Sequence, residues 1–324
     1  VKALITGITG FAGQHLAAHL LSQGDQVRGL SRRSDWLVDV PPALRQHVEL
    51  IGWDLSAEAQ PGPTAVGRIT AFEPEVIYHL AAMSVPQDCG SQEPTSGALL
   101  VNVEGTRRVM QLATRLSSKP RVLFTSTSRV YRRVSSDAPY VDESSPLEPR
   151  GGYGISKLAA EDVARQMAAD AAVELIVIRP FQHTGPGQND RMMLPQWARQ
   201  IAEGGSVPIE VLRTEAGIDV SDVRDVVRAY RLLAQRGVSG GTYNVGSGVP
   251  RTSGQVLKLL MDEAASERPI VELRPGPSQD PIAVIDALVA CTGWRPEIPI
   301  AQTVADTLAD WRHRMGRDEP RSSR

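Results

Sequence analysis

Apolar residues in the first half of the chain follow two alternating rhythms. Val1–Thr6 is a short, nearly continuous apolar run that ends in glycines, the pattern of a strand covered on both faces. Gly13–Gln23 then sets Leu16, Leu20 and Leu21 at helical spacing, and Gly24 stands where a helix would stop. Gln26–Ser31 reads as a second strand. Strand-like runs return at Val76–Leu80, Arg121–Thr125 and Glu174–Arg179, with helical patterns at Leu99–Leu116 and Tyr153–Ala172 between them. Strands alternating with helices predict an α/β fold built on a doubly wound parallel sheet.

Beyond Arg179 the rhythm breaks. Pro180, Gly185, Pro186 and Gly187 punctuate a loop, and Pro-rich stretches at Pro269–Pro281 and Arg295–Pro299 predict a lobe of loops and small elements. Gly240–Gly248 contains a Thr-Tyr-Asn-Val run that reads as a strand returning to the main sheet. The expected division is a sheet domain from 1–180 with 218–248, a smaller α/β lobe from 181–217 with 249–315, and a polar tail at 316–324.

Composition narrows the function classes. Formal net charge is -2, with both signs mixed along the chain, which supports neither a nucleic-acid binder nor a membrane-surface binder. Cys89 and Cys291 stand far apart without metal-type spacing, so two reduced thiols and no metal are expected. No apolar stretch approaches the ~20 residues that span a bilayer. The strand-like run at Val1 shows no secretory leader, so a cytoplasmic location is the expectation.

Chemistry enters at Thr6-Gly7-Ile8-Thr9-Gly10-Phe11-Ala12-Gly13, a strand followed by G-x-x-G-x-x-G at a helix start. Gly7 suits the tight turn, Gly10 lets the backbone approach a pyrophosphate, and Gly13 allows close helix–strand packing, with the helix N-terminus facing negative charge. The second strand ends in Ser31-Arg32-Arg33-Ser34, where an NAD-selecting site would carry Asp or Glu for the ribose 2′-hydroxyl. Two guanidinium groups beside a hydroxyl suit a 2′-phosphate instead, so NADP(H) is the expected cofactor. Asp54-Leu55, after another strand-like run, is placed to approach the adenine. Leu80-Ala81-Ala82 ends the next strand with small residues, as a cofactor lying across the sheet edge requires.

Thr127 with Tyr153 and Lys157 forms the candidate catalytic set. Tyr153-Gly154-Ile155-Ser156-Lys157 opens a helical stretch, so the phenol and the amine share one face. A phenol with a reference pKa near ~10 needs tuning to act near neutrality, and an adjacent ammonium favours its ionised form. A hydroxyl at Thr127, in the Ser126-Thr127-Ser128 strand end, can orient a substrate oxygen.

These motifs together resemble the extended short-chain dehydrogenase/reductases, whose dinucleotide domain is of the Rossmann type. Arg179-Pro180-Phe181-Gln182-His183-Thr184-Gly185-Pro186-Gly187-Gln188 is similar to the R-P-F-N-H-T-G-P-G-Q run of GDP-4-keto-6-deoxy-mannose reductases, and Thr242–Gly248 and Thr292-Gly293-Trp294-Arg295-Pro296 fit the same group. The resemblance implies NADPH-dependent reduction of the 4-keto group of a nucleotide-linked sugar. Tyr153 would protonate the carbonyl oxygen, Thr127 would assist, and Lys157 would position the phenol and the nicotinamide ribose. It also implies a cofactor contact at His183, substrate contacts at Ser84, Gln182 and Gln188, and a homodimer through the Leu99–Leu116 and Tyr153–Ala172 helices.

The chain departs from the family pattern at several positions. Arg129 stands where related 4,6-dehydratases carry Glu, which argues against dehydration. Arg132 replaces a usual Gly, and Gln182 replaces the Asn of R-P-F-N. The Arg-Asp-Phe segment that precedes V-x-D-V in relatives reads as deleted around Ile218-Asp219-Val220, leaving Arg213, Arg224 or Arg274 to replace its arginine. Two other readings stay open: a nucleotide-sugar epimerase with retained cofactor, and a non-catalytic NADP(H)-binding sensor.

Overall fold

A computed structural model describes residues 1–36, 40–56 and 62–316. Seven strands form one sheet in the spatial order Thr242–Val245, Leu175–Pro180, Arg121–Thr125, Val76–His79, Lys2–Thr6, Gln26–Ser31 and Glu49–Gly52. Every neighbouring pair is parallel. The order reverses direction at Lys2–Thr6, and ligands of such sheets bind at the strand C-termini beside the reversal.

Period-two alternation explains why these strands are apolar throughout. Ala3 and Ile5 join one core, against the helices Phe11–Ser22 and Val223–Arg236. Leu4 between them joins the other, against Gly105–Arg115 and Gly151–Ala171. Both sheet faces are therefore covered, as parallel sheets require.

The helical pattern at Leu99–Leu116 is one long helix with a defect. It starts early, at Ser96, where the Thr95 hydroxyl accepts from the backbone N–H of Ala98. Leu99–Glu104 is wound as a π-helix, and α-helix resumes at Gly105–Arg115. Such bulges often mark functional sites.

Beyond Arg179 the structure corrects the expectation of loops and small elements. Met193–Glu203, Ser253–Glu263 and Ile300–Arg314 are regular helices of 11, 11 and 15 residues. Their apolar stripes, including Leu194, Trp197, Val256, Leu260, Val304 and Leu308, bury each other in a core of their own. The prolines of the 269–281 and 295–299 stretches fall in the connections between these helices, so their density misled. Ile218 and Val220 also belong to this core, and the chain rejoins the main sheet's packing only at Val223, later than the boundary expected at 218.

Candidate active site

The first strand ends at Thr6, and Gly7 turns the chain with φ of 71°. A Cβ at Gly7 would sit 2.7 Å from the backbone nitrogen of Ala81, and one at Gly13 only 2.3 Å from the Gly7 carbonyl oxygen. Both glycines are thus required by backbone approach. Gly10 differs, because a Cβ there would meet nothing but the Gly7 oxygen within 4 Å. Its outer side is open, and it caps the Phe11–Ser22 helix without any side-chain hydrogen bond. Free backbone N–H groups beside an open glycine fit a pyrophosphate. Thr9 contacts Ser31, with their hydroxyl oxygens 3.4 Å apart, and Phe11 and Ala12 are half-buried at the helix start.

Arg32, Arg33 and Ser34 are exposed in the bend after Gln26–Ser31. Asp54 turns its carboxylate onto its own loop, accepting from the Ser56 N–H at 2.9 Å and hydroxyl at 2.7 Å. These donors hold it below the usual carboxylate range, with Arg32 among the charges adding to the effect. Leu55 is buried, and its carbonyl accepts from Arg108. Leu80, Ala81 and Ala82 follow the fourth strand half-buried, and Ser84 beyond them is exposed.

Thr127 lies at the end of the fifth strand and caps the short 3-10 turn Ser128–Val130 by accepting from the Arg129 N–H at 3.3 Å. Tyr153 and Lys157 stand one turn apart on Gly151–Ala171. The close approach of that helix depends on glycine: a Cβ at Gly152 would meet the Cys89 carbonyl oxygen at 1.8 Å, and one at Gly154 the Arg129 oxygen at 2.7 Å. Burial pushes the Tyr153 phenol up, while the Thr127 hydroxyl and the Arg129 charge act in the opposite direction. Burial also pulls the Lys157 ammonium down to about 7, against attraction from Glu161. Its Nζ sits 4.4 Å over the Phe124 ring, a cation–π contact that favours the charged form.

The Arg-Pro-Phe arginine does not face this site. Arg179 is buried and pairs with Glu161 at 2.7 Å, and it donates to the Tyr131 hydroxyl at 3.1 Å. Tyr131 in turn donates to Asn244 Oδ1 at 2.6 Å. This buried cluster fastens the helix of Tyr153 and Lys157 to the edge strand Thr242–Val245. Sequence reasoning missed it, although a buried-strand arginine followed by Pro-Phe was a usable signal.

In the loop beyond, His183 donates from Nδ1 to the Phe181 carbonyl at 3.0 Å and stacks on Phe11, with ring centroids 6.1 Å apart. Burial lowers its pKa, so a neutral ring with a free Nε2 acceptor faces the glycine-loop helix. Gln182 is exposed, as a substrate contact needs to be. Gln188 is not so placed, which corrects its expected substrate role. It is buried, accepting from the Thr184 hydroxyl at 2.7 Å and donating to the His183 carbonyl at 3.3 Å, so its amide braces the loop.

At Ile218-Asp219-Val220, where the relatives' Arg-Asp-Phe segment reads as deleted, the buried aspartate lies between two buried apolar residues. Asp219 accepts from the N–H groups of Ser247, Gly248 and Ala283 and from the Ser247 hydroxyl at 2.6–3.0 Å. Of the three candidate replacements, Arg224 is committed to Asp222 and Asp306, at 2.7 and 2.8 Å. Arg213 leans on the Gly276 and Pro277 carbonyls at 3.4 Å, while Arg274 is exposed.

A parallel sheet with a glycine-rich turn at its reversal point, and a Thr, Tyr and Lys set at its C-terminal edge, defines a dinucleotide-dependent oxidoreductase type of site. The NAD dependent epimerase/dehydratase family matches residues 3–246, and the chain belongs to that family. It is 32% identical to the GDP-6-deoxy-D-mannose reductase of Pseudomonas aeruginosa, across 97% of this chain and 98% of that protein. The structure of RMD from Pseudomonas aeruginosa complexed with NADPH superimposes with a TM-score of 0.80 at 29% identity, covering 97% of this chain and all of that one. A UDP-glucose 4-epimerase of Mycolicibacterium smegmatis is 27% identical across 97% of this chain and 99% of its own length.

Proposed function

We propose that this protein is a reductase that uses NADPH to convert the 4-keto group of a nucleotide-linked 4-keto-6-deoxy sugar to an alcohol. The single observation that carries the reading is the half-buried Tyr153 between Thr127 and Arg129, with Lys157 one turn behind. The similarity to a GDP-6-deoxy-D-mannose reductase supports a GDP-linked substrate.

NADPH supplies the hydride when bound. The chain's residues supply the rest. Tyr153 gives its phenolic proton to the carbonyl oxygen as carbon 4 gains the hydride, so the ketone becomes a secondary alcohol and the phenol a phenolate. Thr127 donates a hydrogen bond to the same oxygen. Lys157, charged, stabilises the phenolate and holds the nicotinamide ribose. Gly7, Thr9, Gly10, Phe11, Ala12 and Gly13 cradle the pyrophosphate, and Arg32, Arg33 and Ser34 take the 2′-phosphate. Asp54, Leu55 and Leu80–Ala82 would border the adenine and ribose, His183 would contact the cofactor, and Ser84 and Gln182 would meet the sugar. A guanidinium stays protonated and cannot remove a proton beside a ketone, so Arg129 supports reduction without dehydration.

We read residues 1–180 with the Val223–Gly248 return as the dinucleotide part, and the remainder to residue 315 as the substrate lobe. Half-buried Val101, Ile155 and Val163 on the two long helices, with exposed Leu99, support a homodimer through that face, and two unpaired thiols support a cytoplasmic setting. The test is oxidation of NADPH by purified protein with GDP-, dTDP- and UDP-4-keto sugars. Turnover with a 4-keto sugar is expected. Tightly retained NAD(H) with interconversion of two sugar alcohols would replace the reading by an epimerase, and water loss from GDP-mannose would replace it by a dehydratase.

A further inference from the structure

His79 ends the fourth strand, buried and unused by the chemistry above. Its Nδ1 lies 2.7 Å from Thr6 Oγ1, and its Nε2 lies 2.9 Å from Thr106 Oγ1. Thr6, Thr106 and Asn102 are equally buried. The proton positions follow from the ends of this line. The Thr106 hydroxyl donates to the Asn102 carbonyl at 2.6 Å, which uses its only proton, so Thr106 accepts from His79 Nε2–H. Burial, with Lys157 adding its charge, lowers the His79 pKa to about 3, so the ring is neutral and Nδ1 carries no proton. The Thr6 hydroxyl therefore donates to Nδ1, and Thr6 Oγ1 accepts from the Ala81 N–H at 3.1 Å.

The line continues into the helix of Tyr153. Asn102 lies in the π-wound stretch, where its side chain accepts from the Met83 N–H at 2.8 Å and donates to Ser156 Oγ at 3.0 Å. Ser156 donates to the Tyr153 carbonyl at 3.0 Å. Each hydroxyl in the line thus donates once and accepts once, and each ring nitrogen has one assigned role.

We propose that His79 is a positioning residue. Through Thr6 it holds the strand ends that border the cofactor, and through Thr106 and Asn102 it sets the depth of the helix that carries Tyr153 and Lys157. Loss of the Thr6 end should be felt in cofactor binding, and loss of the Thr106 end in the chemical step. A merely packed histidine would predict neither.

The proposal rests on the reductase reading only for its turnover readout, and two other readouts are independent of it. In the full-length protein labelled with 15N-histidine, the resonances lost on Thr106→Val or His79→Gln should belong to a ring protonated on Nε2 alone. That ring should not titrate between about pH 5 and 9. Thr6→Val should weaken NADPH binding at least several-fold. Thr106→Val should lower kcat about tenfold with the NADPH Kd within about twofold, and Thr106→Ser should restore kcat. A titrating or Nδ1-protonated His79 would overturn the proposal. So would Thr6→Val and Thr106→Val proteins that melt earlier yet keep wild-type Kd and kcat per folded molecule. If either valine variant does not fold, the tautomer in the wild type and Thr106→Ser still decide. If no 4-keto sugar is turned over by the wild type, the reductase reading fails alone, and the tautomer and NADPH affinity still judge His79.

Discussion

Replacing Glu161 by glutamine attacks the buried cluster behind the helix of Tyr153 and Lys157. Its side chain and that of Arg179 are 2% and 4% exposed, and Arg165 adds a second cation at 2.9 Å. Burial pushes the Glu161 carboxyl up, but the two arginines outweigh it and hold it below the usual carboxylate range. A carboxyl with a lowered folded pKa contributes stability above the ordinary value of 4.5, and that contribution is lost as pH falls below it. At neutral pH, Glu161→Gln leaves Arg179 buried without a counter-charge, which costs about 3–5 kcal/mol. The amide oxygen still accepts one hydrogen bond, which places the loss near ~3 kcal/mol. For a chain of this length that is a fall of roughly 4–5 °C in the melting midpoint. Glu161 also helps to keep Lys157 charged, so the variant should lose activity at lower pH than the wild type. The assay is thermal melting at pH 7 and again below pH 4, where the difference should shrink. Replacing both charges, Glu161→Leu with Arg179→Met, should recover at least half of the loss. A Glu161→Gln protein that melts within about a degree of wild type at pH 7 would refute the reasoning.

Other outcomes follow from the same geometry. Tyr153→Phe should lose about 10²–10⁴-fold in kcat with NADPH affinity nearly unchanged, by stopped-flow absorbance and fluorescence titration. Arg32→Ala and Arg33→Ala should each weaken NADPH about tenfold and leave NADH unaffected, since a charge-assisted contact is worth roughly 1.5–3 kcal/mol. Equal affinity of the wild type for both cofactors would contradict this. Lys157→Met should melt higher than the wild type below pH 7, without cofactor. The wild type must hold a buried ammonium there, while between pH 7 and 10.5 its folded form sheds the proton that its unfolded form keeps, so its stability rises and the gap closes. Gly13→Ala should be destabilised by more than ~1–3 kcal/mol, because its Cβ meets backbone that no rotamer can move.

The parts legible in the sequence were those fixed by local backbone demands. The glycine turn announced itself because Gly7 and Gly13 admit no side chain, and Tyr153 and Lys157 because a helix repeats every turn. The hidden parts depend on partners distant in the chain. His79 meets residues 73 and 27 positions away, and Arg179 meets Tyr131 48 positions away. Gln188 looked like a substrate contact because its signature is contiguous, yet burial assigns its amide to Thr184 and His183. At Ile218-Asp219-Val220 the sequence shows only a departure from the family pattern, while the distant backbone gathered by Asp219 is visible only in the fold.

That aspartate has a consequence for engineering. Asp219 gathers backbone from residues 247, 248 and 283 onto one carboxylate, and the helices of the lobe come from both sides of the Thr242–Val245 strand. The lobe is therefore no detachable cassette. A chimera that takes residues 181–217 from one relative and 249–315 from another would mismatch the halves of a single core. A graft of the lobe must carry both pieces together, with Asp219 and the loop it gathers.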